Sequence, residues 1–68
     1  MYNKLQQIRK SKGISQESLA DKAKISREYL SNIETGKVNP TLKVAFSVAH
    51  ALGVKVGDIF FADNVISK

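Results

Sequence analysis

Arg27, Glu28, Ser31 and Asn32 lie in a short stretch whose apolar positions are Leu30 and Ile33. On a helix, residues three and four apart share a face. If Leu30 and Ile33 turn inward, the polar set turns outward together. Arg can donate two hydrogen bonds to guanine, Asn can pair with adenine in both directions, and Glu can accept from cytosine. The set is therefore suited to reading base edges. It also suits the solvated face of an ordinary helix, and composition alone leaves both readings open.

The flanking residues are of a kind that binds phosphate. Ser15 and Gln16 open the preceding apolar-periodic segment, where free N–H groups and the helix dipole attract an anion. Lys37 follows beside the backbone of Gly36. Phosphate contacts fix register without reading sequence. Plain capping and solvation explain the same residues equally simply.

Such side chains need rigid elements to aim them. Ser15, Ser26 and Thr41 each precede an apolar-periodic segment, and Gly13, Gly36 and Gly53 each follow one. Hydroxyl residues cap helix starts, and glycine tolerates the left-handed turn that closes a helix. These signals predict helices over about residues 2–12, 16–23, 27–35 and 42–52, and a last short one over 57–61. Leu5, Ile8, Leu19, Ala20, Ala23, Leu30, Ile33, Leu42, Ala45, Ala49, Leu52, Val54, Val56 and Ile59 are the expected core. The link Lys24-Ile25-Ser26 is short enough to make the second and third helices cross steeply. Arg27, Glu28, Ser31 and Asn32 thus begin the second helix of a tight two-helix turn, which strengthens the DNA reading. The expected organisation is one all-α domain over residues 1–61 with a tail over 62–68, although residues 64–67 could add an edge strand in a dimer.

Composition sets bounds on this picture. A chain of 68 residues supports one domain and buries only roughly 60% of its unfolded surface. Its net charge is +5, with eight Lys or Arg against four Asp or Glu in residues 1–37 and three against two beyond. A basic N-terminal half points to a polyanionic partner, or simply to a soluble surface. Cysteine is absent, so no disulfide or thiolate metal site can staple the fold. No apolar run approaches the roughly 18 residues of a membrane span, and no signal-peptide core follows Met1. The expected location is cytoplasmic, with no membrane association. The sequence carries no signature of a cofactor, metal or small-molecule ligand.

Ile14-Ser15-Gln16-Glu17-Ser18-Leu19-Ala20 followed by Ile25-Ser26-Arg27-Glu28-Tyr29-Leu30-Ser31-Asn32-Ile33-Glu34-Thr35-Gly36 resembles the lambda repressor and Cro type of helix-turn-helix, also called the xenobiotic-response-element family. Asn39-Pro40-Thr41-Leu42 and Ala49-His50-Ala51-Leu52-Gly53-Val54 fit the pattern that follows there. The resemblance covers roughly residues 3–61. It implies a compact five-helix fold and a DNA-binding transcription regulator, in most members a homodimer on a partly palindromic double-stranded operator. It implies that Gln16 touches a phosphate or base edge, that Arg27, Glu28 and Asn32 stand at base-reading positions, and that Tyr29 and Lys37 contact the backbone. Arg9 and Glu34 match a pair that commonly bridges the first and third helices; Arg9 can also be read as a DNA-facing charge. Glu28 departs from the pattern, because a carboxylate among phosphates is repelled unless a cytosine amine or Arg27 satisfies it.

The fourth helix is more apolar than one core needs, with a second stripe of Val44, Val48 and Ala51, Phe46 at its margin, and Phe60-Phe61 beyond. An apolar excess on a small domain suggests a partner surface. The expectation is a homodimer built from the C-terminal part, with Val48, Ala51, Phe60 and Phe61 in the interface; alternatively, one ring caps the core and the other lies under the tail. Dimerisation would set the reading helices about 34 Å apart. Catalysis is not expected: His50 is the one histidine, on the fourth helix, and no converging acid, base and nucleophile accompany it. The competing reading is a protein-interaction module of the same fold without specific DNA reading, against which Arg27, Asn32 and Lys37 argue.

Overall fold

Hydroxyl side chains start three of the helices. The Ser15 Oγ accepts from the Ser18 N–H and the Ser26 Oγ from the Tyr29 N–H, both at 3.0 Å, and the Thr41 Oγ1 accepts from the Val44 N–H at 3.2 Å. The computed structural model describes residues 3–60. Its elements are α1 (Leu5–Ser11), α2 (Gln16–Ala23), α3 (Arg27–Glu34), α4 (Leu42–Leu52) and α5 (Val56–Ile59). None of these helices is long and apolar enough to cross a membrane. The expected tail, the edge strand over 64–67 and Phe61 lie outside the described residues.

α2 packs against both α3 and α4, and α4 against α5. Their meeting side chains form one core around Leu5, Leu19, Leu30, Ile33, Val48 and Ile59, each at most 1% exposed. Main-chain and side-chain bonds close the ends of the array. The Lys4 N–H donates to the Ile59 carbonyl, and the Asn3 Nδ2 donates to the Ile33 carbonyl, both at 2.9 Å.

The core differs from the sequence expectation on α4 and at the end of α5. Val48, expected at a dimer face, is 0% exposed, whereas Leu42, expected in the core, is 39% exposed. Val48 sits three residues after Ala45 and four before Leu52, so it continues their stripe. Leu42 is the first residue of α4, and helical side chains lean toward the N-terminus. Its side chain therefore leans past the core layer, while Pro40, two residues earlier, is fully buried. Phe60, also expected between subunits, is 3% exposed. The chain turns extended at this residue (φ −115, ψ 144) and its ring joins the protomer's own core.

The α2–α3 turn holds a feature that residue types conceal. Lys24 closes α2 in the left-handed conformation, with φ 60, where a side chain costs about 1–2 kcal/mol. Its N–H caps the Ala20 and Asp21 carbonyls, and the Ile25 N–H returns to the Ala20 carbonyl at 3.0 Å. Ile25 then packs half-buried against the core. The turn is thereby fixed by backbone bonds and one apolar plug.

Candidate nucleic-acid interface

α3 is anchored on one side and open on the other. Leu30 and Ile33 are fully buried, and half-buried Tyr29 packs against the same core. Arg27 and Glu28 are exposed, while Ser31 and Asn32 are half-buried. These polar residues, joined by Gln16 from the start of α2, line one open depression of ≈ 600 Å³. The two helix starts thus converge on a single polar surface.

The end of α3 is closed by its own backbone. The Lys37 N–H donates to the Asn32 carbonyl at 2.9 Å, and the Val38 N–H reaches the same oxygen at 3.3 Å. Gly36 takes φ 80 to allow this return. Asn32 is consequently pinned through its main chain while its side chain faces the depression. Lys37 emerges exposed beside it, and Ser15 is exposed at the other end as the α2 cap.

A buried ionic network sets the angle of this surface. The Arg9 Nε donates to Glu34 Oε2 at 2.6 Å and the Arg9 Nη2 to Glu34 Oε1 at 3.2 Å. The Arg9 Nη1 donates to the Ile14 carbonyl at 2.8 Å. The Gln16 Nε2 donates to Glu34 Oε1 at 3.0 Å. The side chains of Arg9 and Glu34 are 9% and 0% exposed. A charge removed from water this far needs a partner with full hydrogen bonding, and each has one. The network joins α1, the α1–α2 loop, the start of α2 and the end of α3. Arg9 therefore points inward.

Gln16 has two relations here: it borders the depression and is held by Glu34. Nothing in the sequence signals the second, since it depends on how α2 and α3 meet. The Asn3 bond to the Ile33 carbonyl was equally invisible. Of the residues expected at a dimer interface, Val48 and Phe60 are interior and Ala51 is half-buried, while Phe61 lies outside the described residues. Among the described residues, the large apolar side chains that do face solvent are Val38, Leu42 and Phe46, at 37%, 39% and 59% exposure. His50 is exposed on α4, and among the described residues no cluster of His, Cys, Asp or Glu has the makings of a metal site.

Comparison with known proteins adds independent findings. A helix-turn-helix family model matches residues 5–59. An uncharacterised HTH-type transcriptional regulator of Methanocaldococcus jannaschii is 44% identical over 64 residues, covering 94% of this chain and 97% of that protein. The immunity repressor of Bacillus phage phi105 is 38% identical over 65 residues, 96% of this chain and 45% of the longer repressor. Among solved structures, the restriction-modification controller protein C.AhdI from Aeromonas hydrophila superposes with a TM-score of 0.80 at 33% identity, over 84% of this chain and 86% of that one. The clp gene regulator ClgR from C. glutamicum gives a TM-score of 0.76 at 37% identity, over 79% and 70%.

Proposed function

The chain belongs to the Cro/C1-type helix-turn-helix family of DNA-binding transcriptional regulators, and on that premise we propose that it is a repressor that binds a partly palindromic operator as a homodimer, with α3 in the major groove. It is a regulator and not an enzyme. The observation that carries the proposal is the shared depression of Gln16, Arg27, Glu28, Ser31 and Asn32. Its residues take no part in the core, and the helix that bears most of them is locked from behind by Glu34.

Within this reading, Arg27 addresses guanine and Asn32 addresses adenine through paired hydrogen bonds. Ser31 lies between them on the same face. Glu28 accepts from a cytosine amine. Ser15 and Gln16 meet phosphate at the start of α2, with Tyr29 and Lys37 on the backbone at either side of the groove. Each phosphate neutralised releases counterions, so affinity falls steeply with salt. The immunity repressor among its relatives supports a repressing role, and the net charge of +5 supports a polyanionic partner. The proposed site of action is the cytoplasm, as for a regulator that meets DNA there. The proposed dimer contact lies in the C-terminal part of the fold and keeps the half-buried Ala51, whereas Val48 and Phe60 are enclosed in the protomer.

Selection of bound sequences from random DNA tests all of this together. The expected product is a two-fold half-site repeated at about 10–10.5 base pairs or a multiple. Recovery of no enriched sequence, with flat binding to random and genomic DNA at physiological salt, would favour the protein-interaction reading instead.

A further inference from the structure

A second concave surface lies between the end of α2 and the length of α4, sharing no residue with the depression described above. It has a volume of ≈ 430 Å³, within the roughly 300–1,000 Å³ of ligand sites. Its floor includes Ile25 and Val44, both half-buried and packed on the core. Its rim carries Lys22, Lys24, Lys43 and His50, all exposed. Among the described residues no carboxylate lines it.

The placement of Lys43 is informative. It stands in the first turn of α4, which has no acidic residue, where the helix dipole disfavours a cation. Neither Lys43 nor its neighbours Lys22, Lys24 and His50 has a carboxylate partner among the described residues. Phe46 follows Lys43 by three residues and precedes His50 by four, so it stands on the same flank of α4. At 59% exposure it is the most exposed large apolar side chain described. An uncompensated cationic rim, an apolar floor and an exposed ring thus occupy one side of the molecule.

We propose that the groove between α2 and α4 docks an acidic segment of a partner protein that also carries apolar side chains. The carboxylates of such a segment pair with Lys22, Lys24 and Lys43, and its apolar side chains cover Ile25, Val44 and Phe46. DNA fits less well, because a phosphodiester backbone has nothing apolar to bury on the floor or on Phe46. A second copy of this chain meeting the groove across a two-fold axis would oppose lysine with lysine, since such an interface is self-complementary. The occupant bears directly on Ile25, part of the turn that joins α2 to the reading helix, which gives the partner a physical route to the DNA-facing surface.

The test uses the full chain, isotope-labelled for NMR, and a synthetic helical peptide of Glu, Asp, Leu and Phe as the probe. Amide shifts should move at residues 22–25 and 43–50. The combined variant Lys22→Gln, Lys43→Gln, Phe46→Ala changes only exposed side chains; it should weaken peptide binding about tenfold or more while keeping the preference for selected over random DNA. A control peptide with Gln in place of the acids should bind as poorly as that variant does. The wild-type shift map stands even if the variant is poorly folded. Four outcomes would overturn the proposal: no shifts at millimolar peptide; shifts centred on Gln16, Arg27 and Asn32, where the acids merely imitate phosphate; loss of DNA sequence preference in the variant; or a concentration-dependent mass that the variant abolishes, which would make the occupant a second copy.

Discussion

Replacing Glu34 by glutamine probes the network behind the reading helix without changing its shape. In the native protein Glu34 Oε2 faces the Arg9 Nε at 2.6 Å, and Oε1 faces both the Arg9 Nη2 at 3.2 Å and the Gln16 Nε2 at 3.0 Å. Every neighbour of the carboxylate is therefore a donor. A glutamine amide must turn its NH₂ toward Arg9 in one orientation, or toward Arg9 and Gln16 in the other. Either way donor opposes donor, and the Arg9 guanidinium, on a residue 7% exposed, loses its counter-charge. Breaking one partner of a buried pair costs about 3–5 kcal/mol. A domain of 68 residues has a total stability of about 3–10 kcal/mol, so Glu34→Gln should leave it near the edge of unfolding.

Urea unfolding followed by circular dichroism measures this directly. With a slope of about 1 kcal/mol per molar urea for so small a domain, the midpoint should fall by about 3 M, or, for a starting stability near 3 kcal/mol, vanish. The melting temperature should drop by about 12–24 °C for 3 kcal/mol. The double variant Arg9→Met, Glu34→Leu removes both charges and should recover most of the loss, because an apolar pair of similar volume is often neutral. A loss below about 1 kcal/mol for Glu34→Gln, or a double variant no more stable than the single one, would refute the donor-crowding argument. It would mean that the desolvation cost already cancels the pair's attraction.

The remaining expectations concern DNA, the helix cap and assembly. Arg27→Ala should cost about 1–3 kcal/mol at one base pair and relax preference there, whereas Lys37→Ala should weaken all sequences alike and lower the salt slope by about one; binding measured on a panel of single-base operator variants separates them, and equal behaviour rejects the division of roles. Ser26→Ala removes the acceptor for the Tyr29 N–H and should lower stability by about 1 kcal/mol, read from the same urea titration. Sedimentation across a concentration series should show reversible dimer formation; a strict monomer at high micromolar concentration would defeat the homodimer.

Helix bounds were legible wherever a cap was chemically explicit. α2 and α4 begin after Ser15 and Thr41 as their hydroxyls require, and Gly53 closes α4 with φ 72. α1 starts at Leu5, later than expected, with Lys4 at its N-cap and no side-chain cap; Asn3 Oδ1 accepts the Leu5 N–H at 3.0 Å in a turn just before it, a turn the asparagine itself could have announced. α5 starts at Val56, one residue before the expected Gly57, since Asp58 Oδ2 accepts from the Lys55 N–H at 3.0 Å. The outward face of α3 could be read because Leu30 and Ile33 leave it only one orientation. Burial on α4 could not be settled from spacing alone: Leu42 and Val48 both stand at core spacing from Ala45, and the packing of α2 and α5 on the helix, with Leu42 at its very start, chooses Val48. Lys24 was opaque for another reason, as lysine gives no sign of a left-handed backbone.

The bond between the Lys4 N–H and the Ile59 carbonyl has a consequence for how this module can be wired to others. It brings the first and last turns of the helical array to one corner, 2.9 Å apart at the bonded atoms. The ends of the described array lie close enough at Lys4 and Ile59 to be joined by a short linker in a circularly permuted variant. Protein modules joined directly to residues 3 and 60 would leave from neighbouring points, so even short tethers would place them side by side.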